Sequence, residues 1–173
     1  MFYFDEKLKE YEATYSWDKA LTHLENLFIE SPTCEKLNSL VGFSWYYLIE
    51  GPIDSGKYGK DENSIALDIW EKYLDIGFEK YSDSPSFCFI AGYSLLMHGF
   101  YMNKYRSNNE QVGTNLLNKV KNSNADRLKV LVSIVLEHQN QKTYKPLKIN
   151  QEVPRQIFVN ESLLEGYFLG LFQ

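Results

Sequence analysis

Proline-marked stops at Ser31-Pro32, Gly51-Pro52 and Ser84-Pro85 cut this sequence into stretches whose apolar residues recur with helical spacing. Residues 17–30 carry Trp17, Ala20, Leu21, Leu24, Leu27 and Phe28 at i, i+3, i+4 and i+7, with Ser16 placed to cap them. Residues 33–49 follow with Leu37, Leu40, Val41, Trp45 and Leu48, and with Gly42 where a neighbour can approach closely. After a Gly/Pro-rich loop at 51–60, residues 61–81 form a third helix capped by Asn63 or Ser64. Its apolar set is Ile65, Ala66, Ile69, Trp70, Tyr73, Leu74 and Gly77. Residues 86–101 are apolar nearly all round, which marks a central helix.

Beyond a polar turn at 103–109, two more helices are predicted at 110–121 and 125–139. The stretch 140–159 has Pro146, Pro154 and no helical period, and reads as an extended arm. A short last helix, 161–172 with Asn160 as cap, presents Leu163, Leu164, Tyr167, Phe168 and Leu171 as a docking face. The reading is a single all-α domain over residues 1–173.

Its pieces echo one another. Ala20-Leu21, Glu25, Ser31-Pro32 and Gly42-Phe43-Ser44 return as Ala66-Leu67, Glu71, Ser84-Pro85 and Gly92-Tyr93-Ser94, with a weaker third round from Leu116-Leu117. The pattern resembles tetratricopeptide-type helical hairpins at a longer period, which implies an irregular array of about three hairpins.

Catalytic and metal chemistry find no foothold. His23, His98 and His138 lack a ligand at i+3 or i+4, so structural roles are expected for them. The pairs Gly56-Lys57 and Gly59-Lys60 are followed by Tyr58 and Asp61, where a phosphate loop needs Ser or Thr, and no G-x-S-x-G occurs. Cys34 and Cys88 read as reduced, core-type residues. No cofactor and no enzymatic activity are expected. The apolar run 87–102 is too short to span a bilayer, residues 1–10 lack the apolar core of a signal peptide, and a cytoplasmic protein without membrane contact is expected.

Charge carries the most specific signal. The net charge of −5 disfavours direct nucleic-acid binding, which needs a basic footprint. It conceals a split: residues 1–83 hold 8 basic and 17 acidic side chains, residues 84–173 hold 10 and 6. At about 100° per residue, Asp61, Asp68, Glu71, Asp75 and Glu79 fall within an arc of about 80°, opposite the apolar set, with only Lys72 diluting them. A solvated outer face is one reading of such an arc. A docking face for a cationic partner is the other, since like charges at i, i+4 are mildly destabilising unless covered. Asp54 and Tyr58, in the adjoining loop, join the candidate partner-binding set, Tyr58 as its aromatic anchor.

The aromatic segment Phe87-Cys88-Phe89-Ile90-Ala91-Gly92-Tyr93-Ser94-Leu95-Leu96-Met97, the closing Tyr167-Phe168-Leu169-Gly170-Leu171-Phe172 and the chain's size resemble small helical immunity proteins of bacterial contact-dependent inhibition and polymorphic toxin systems. That resemblance implies a cytoplasmic protein that binds a cognate toxin, often a basic nuclease domain, and blocks its active site or substrate access. The competing expectation is a tetratricopeptide-like adaptor that holds a peptide in a groove lined by 33–49, 86–101 and 125–139.

Overall fold

The computed structural model describes residues 1–55, 60–102, 108–140, 152–158 and 162–172. Every regular element among them is helical: α1 (Glu6–Ala13), α2 (Trp17–Glu30), α3 (Cys34–Ser55), α4 (Lys60–Lys80), α5 (Pro85–His98) with a 3-10 turn (Gly99–Tyr101), α6 (Asn109–Lys121), α7 (Asp126–Asn140), α8 (Glu152–Ile157) and α9 (Leu163–Leu171). The all-α expectation holds, and so do the positions of α2, α6 and α7.

Five expectations are corrected. Helix α1 was not anticipated; Asp5 caps it by accepting the Leu8 N–H at 2.8 Å. Helix α3 runs through the expected break to Ser55. A residue before proline normally avoids the α region because its Cβ meets the proline ring, and Gly51 has no Cβ. Helix α4 begins at Lys60, so Asn63 and Ser64 lie inside it and are not caps. Within the expected arm, residues 152–157 are helical. Pro154 is tolerated as the third residue of α8, where the backbone N–H has no intrahelical acceptor to lose. The last helix begins at Leu163 with Ser162 as its cap, not at residue 161 with Asn160. The rest of the arm (141–151 and 159) and Asn160 lie outside the described residues.

Helix α5 is central as predicted: every residue from Phe87 to Leu95 is buried. It packs most closely on α6, and α3 packs most closely on α4, so the tightest antiparallel neighbours straddle the echoed units more than they reproduce them. Glycine sets the α5–α6 distance. A Cβ on Gly113 would lie 2.7 Å from the Gly92 carbonyl oxygen and 2.7 Å from the Leu96 nitrogen, both backbone atoms.

Helices α3 and α5 form the walls of a trough. Gly42 and Trp45 come from α3, Phe89 and Tyr93 from α5. Residues 1–4 and the segment containing Phe158 and α9 fill it. Phe168 stacks on Phe158 (centroids 5.1 Å apart, planes 10° apart) and lies 5.4 Å from Tyr93 and 5.8 Å from Trp45. Phe2 stacks on Phe168 at 6.0 Å. Residues 1–4 are held against α3 by paired bonds: the Ser39 hydroxyl accepts the Tyr3 N–H and donates to the Tyr3 carbonyl, each at 2.8 Å, and the Asn38 amide donates to the Met1 carbonyl at 3.1 Å. The sequence-predicted closeness at Gly42 is real: a Cβ there would meet Leu164 at 2.8 Å and Phe2 at 3.0 Å.

Replacing Gly113 with Ala tests the α5–α6 crossing. Alanine gains about 1 kcal/mol of helix propensity, but backbone atoms cannot yield to its methyl as side chains can, and overpacking costs about 1–3 kcal/mol. Gly113→Ala is expected to lower the urea midpoint at unchanged slope; a higher midpoint would show that the helices can separate freely.

Candidate functional site

The acidic face of α4 follows from how the helix is seated. Ala66, Ile69, Trp70, Tyr73 and Leu74 are buried. Ile65, expected with them, is 49% exposed. On the opposite side Asp68 and Glu79 are exposed, and Glu71 and Asp75 are half-buried. The four carboxylates thus share one face at different depths. Tyr58 lies outside the described residues, as do the side chains of Asp54 and Asp61, so the loop portion of the expected site is not joined to this face.

Lys72, the one cation within the arc, is drawn away. Its ammonium lies 2.9 Å from Glu25 of α2 and 4.8 Å from the Tyr73 ring centroid. The Tyr73 hydroxyl donates to the same Glu25 oxygen at 3.0 Å. The hydrogen bond to Glu25 raises the lysine pKa above its usual value, burial opposing. Among the described residues, no basic partner for Asp68 or Glu79 takes its place.

The two described histidine side chains both have hydrogen-bond partners within the fold. His23 Nε2 sits 2.8 Å from Asp5, and this bond is one of the contacts that lower the Asp5 pKa against its burial. Trp45 Nε1–H donates to His98 Nδ1 at 3.2 Å, which fixes the neutral tautomer with its proton on Nε2, and burial lowers the His98 pKa. The His138 side chain lies outside the described residues. Cys34 and Cys88 are free thiols. Burial raises the pKa of Cys88, so it is a poor nucleophile. No group of three or more His, Cys, Asp or Glu side chains gathers among the described residues as a metal site would. Nor is any described helix long and apolar enough to cross a membrane.

Two features escaped sequence reasoning. The first is an exposed aromatic corner beyond α5: Phe100 is 62% exposed and lies 4.5 Å from Tyr101, beside exposed Met97. Helical spacing assigned Tyr101 to a buried helix, but the change to a 3-10 turn at Gly99 swings these rings outward. A cavity of about 550 Å³ adjoins the corner, walled by Leu95, Leu96 and Phe100 and by Asn109, Gln111 and Thr114 of α6. The second is a pair of buried carboxyl groups. Glu12 on α1 is 5% exposed and Glu165 on α9 is 6% exposed. The backbone N–H of Leu163, in the first turn of α9, donates to Glu12 Oε2 at 3.1 Å, while Glu12 Oε1 is buried without a partner. Burial above all, with the Glu165 charge adding, raises the Glu12 pKa to about 7 against the Leu163 hydrogen bond.

No protein-family model, curated protein or solved structure matches the chain.

The His98 geometry has a pH signature. A depressed histidine pKa contributes stability that is complete above the unfolded value of 6.5 and is lost as pH falls through the folded value. Ring-proton NMR should show His98 titrating below the ordinary histidine value of 6.5, and His98→Phe should remove part of the acid-side loss of stability seen in urea unfolding. Titration of His98 at or above the ordinary value would contradict the Trp45 hydrogen bond.

Proposed function

We propose that the chain is a non-enzymatic, protein-binding immunity protein that neutralises a cognate toxin, a basic nuclease domain, by occupying its active site or substrate path. The observation that carries this reading is the α4 face, where Asp68 and Glu79 are exposed and Lys72 is committed to Glu25. A nuclease binds phosphate with Lys and Arg groups, and exposed carboxylates compete for those groups and steer the encounter. Affinity then rests on a few desolvated contacts. The exposed Phe100 and Tyr101 give the fold aromatic groups of the kind that anchor interfaces.

The adaptor reading needs its peptide groove vacated, because the α3–α5 trough is filled by Phe2, Phe158, Leu164 and Phe168. This observation places it second.

Co-expression with a toxin-like domain, sought in the gene immediately upstream, tests the proposal: protection and a stoichiometric complex are expected. Asp68→Lys with Glu79→Lys, on one exposed line of α4, should change folding stability by less than about 0.5 kcal/mol, as surface substitutions do. The same double variant should weaken the complex at least tenfold and flatten its salt dependence. Unchanged affinity would reduce the α4 face to solvated surface, and absence of any complex would remove the toxin reading itself.

A further inference from the structure

Two free thiols meet at the start of α5. Cys34 is the first residue of α3 and is half-buried; Cys88 is the fourth residue of α5 and is 2% exposed. The Cys34 thiol donates to the Ser84 hydroxyl at 3.1 Å and lies 3.7 Å from the Ser86 hydroxyl. Ser84 and Cys88 are one helical turn apart, the Cys88 N–H donating to the Ser84 carbonyl at 2.9 Å. Side chains on a helix lean toward its N-terminus. Cys88 does so, its thiol reaching back to the Ser82 carbonyl at 3.1 Å. The Cys34 sulfur therefore rests on the end of α5 toward which the Cys88 sulfur leans.

We propose that Cys34 and Cys88 form a reversible disulfide that clamps the α3 and α5 walls of the trough together, with Cys34 as the entry sulfur and a low-molecular-weight disulfide, oxidised glutathione, as the oxidant. The Cys34 thiolate attacks one sulfur of the oxidant, breaks its S–S bond and expels one glutathione thiolate, which leaves a mixed disulfide on Cys34. The Cys88 thiolate then attacks the Cys34 sulfur and expels the second glutathione thiolate. The two protein thiols give up two electrons to the oxidant, and their protons end on the two glutathione thiols. Exposure sets the order: Cys34 is the sulfur that solvent reaches, and Cys88 is closed to a bulky reagent. The inference depends neither on the acidic face of α4 nor on a toxin partner.

The surroundings suit the second step. Lys119 of α6 donates to the same Ser82 carbonyl at 2.9 Å and to Asp83 at 3.1 Å, so an ammonium group stands beside the Cys88 sulfur. Burial raises the Cys88 pKa, the Lys119 charge opposes it, and Asp83 and Cys34 add to the rise. Cys88 is thus slow toward a reagent in solution. A disulfide already seated on Cys34 is presented to it within the fold, and a reaction between groups held together needs no encounter from solution. The bond would close the chain between residues 34 and 88 into a loop, which restricts the unfolded state and stabilises the fold.

The test incubates the intact, reduced protein with oxidised glutathione at pH 8 without denaturant, quenches it in urea containing iodoacetamide and measures the intact mass. The expected product has the mass of a single chain less two hydrogens, is alkylated at neither cysteine, and yields on digestion a peptide pair joining Cys34 to Cys88. Its urea midpoint should exceed that of the reduced protein, and dithiothreitol should restore both mass and midpoint. Cys88→Ser should stop with one glutathione on Cys34, and Cys34→Ser should take up glutathione roughly tenfold more slowly than Cys88→Ser. The unaltered protein alone decides the matter if a variant does not fold. Two unreacted thiols, glutathione retained on Cys34, a disulfide-linked dimer, closure only in concentrated urea, or an oxidised midpoint at or below the reduced one would each overturn the inference.

Discussion

Phe168 is where the distant parts of this chain meet. Its ring lies between Phe158 and Phe2 on one side and Trp45, Phe89 and Tyr93 on the other, so it joins α9, residues 1–4, α3 and α5 in one contact set. Offset and tilted rings at such distances add about 0.5–1.5 kcal/mol per pair beyond the area they bury. The arrangement depends on Gly42: only a residue without a Cβ lets Leu164 and Phe2 reach the α3 backbone. It depends equally on Asn38 and Ser39, buried polar residues whose hydrogen bonds to Met1 and Tyr3 hold Phe2 in place. The α3–α5 trough is closed by residues 1–4, Phe158 and α9.

The helices that the sequence makes plain are those whose limits are local. Ser84 before Pro85 starts α5 whatever surrounds it, because the serine side chain accepts the Phe87 N–H and proline at the first position gives up no bond. The missed elements are decided by distant contacts. Helix α1 has eight residues, of which Leu8 and Glu12 are buried, and a glutamate in that register reads as surface until α9 is seen to cover it. Helix α8 begins two residues before a proline and takes its place from Pro154 and Phe158 docking into the core. At Gly51-Pro52, two residues that normally break helices cancel part of each other's effect, and composition alone gives no means of seeing this.

The acidic arc was legible because it is a property of one helix at a fixed angular step. Its depth was not: Glu71 and Asp75 are half-buried, whereas Asp68 and Glu79 are exposed, and that difference comes from the neighbours of α4 and not from its own period. The fate of Lys72 was hidden for the same reason, since Glu25 lies 47 positions away on α2. More hidden still was the carboxyl pair. Leu163 and Glu12 are separated by 151 positions, and nothing in a charge count signals that a glutamate is out of water.

That difference in setting divides the acids of this chain into two kinds. Asp68 and Glu79 on α4 face solvent, where about 0.15 M salt screens charges beyond roughly 8 Å and where single pairs contribute little. Any effect of such exposed charges is collective and falls off with salt. Glu12 is screened by protein and not by ions, and its pKa of about 7 means that the formal charge of −5 overstates its ionisation in the folded chain near neutrality. Salt therefore acts on the first kind and protons on the second. The exposed face of α4 and the seat of α9 on α1 are therefore set separately, because the two kinds of carboxylate answer to different variables.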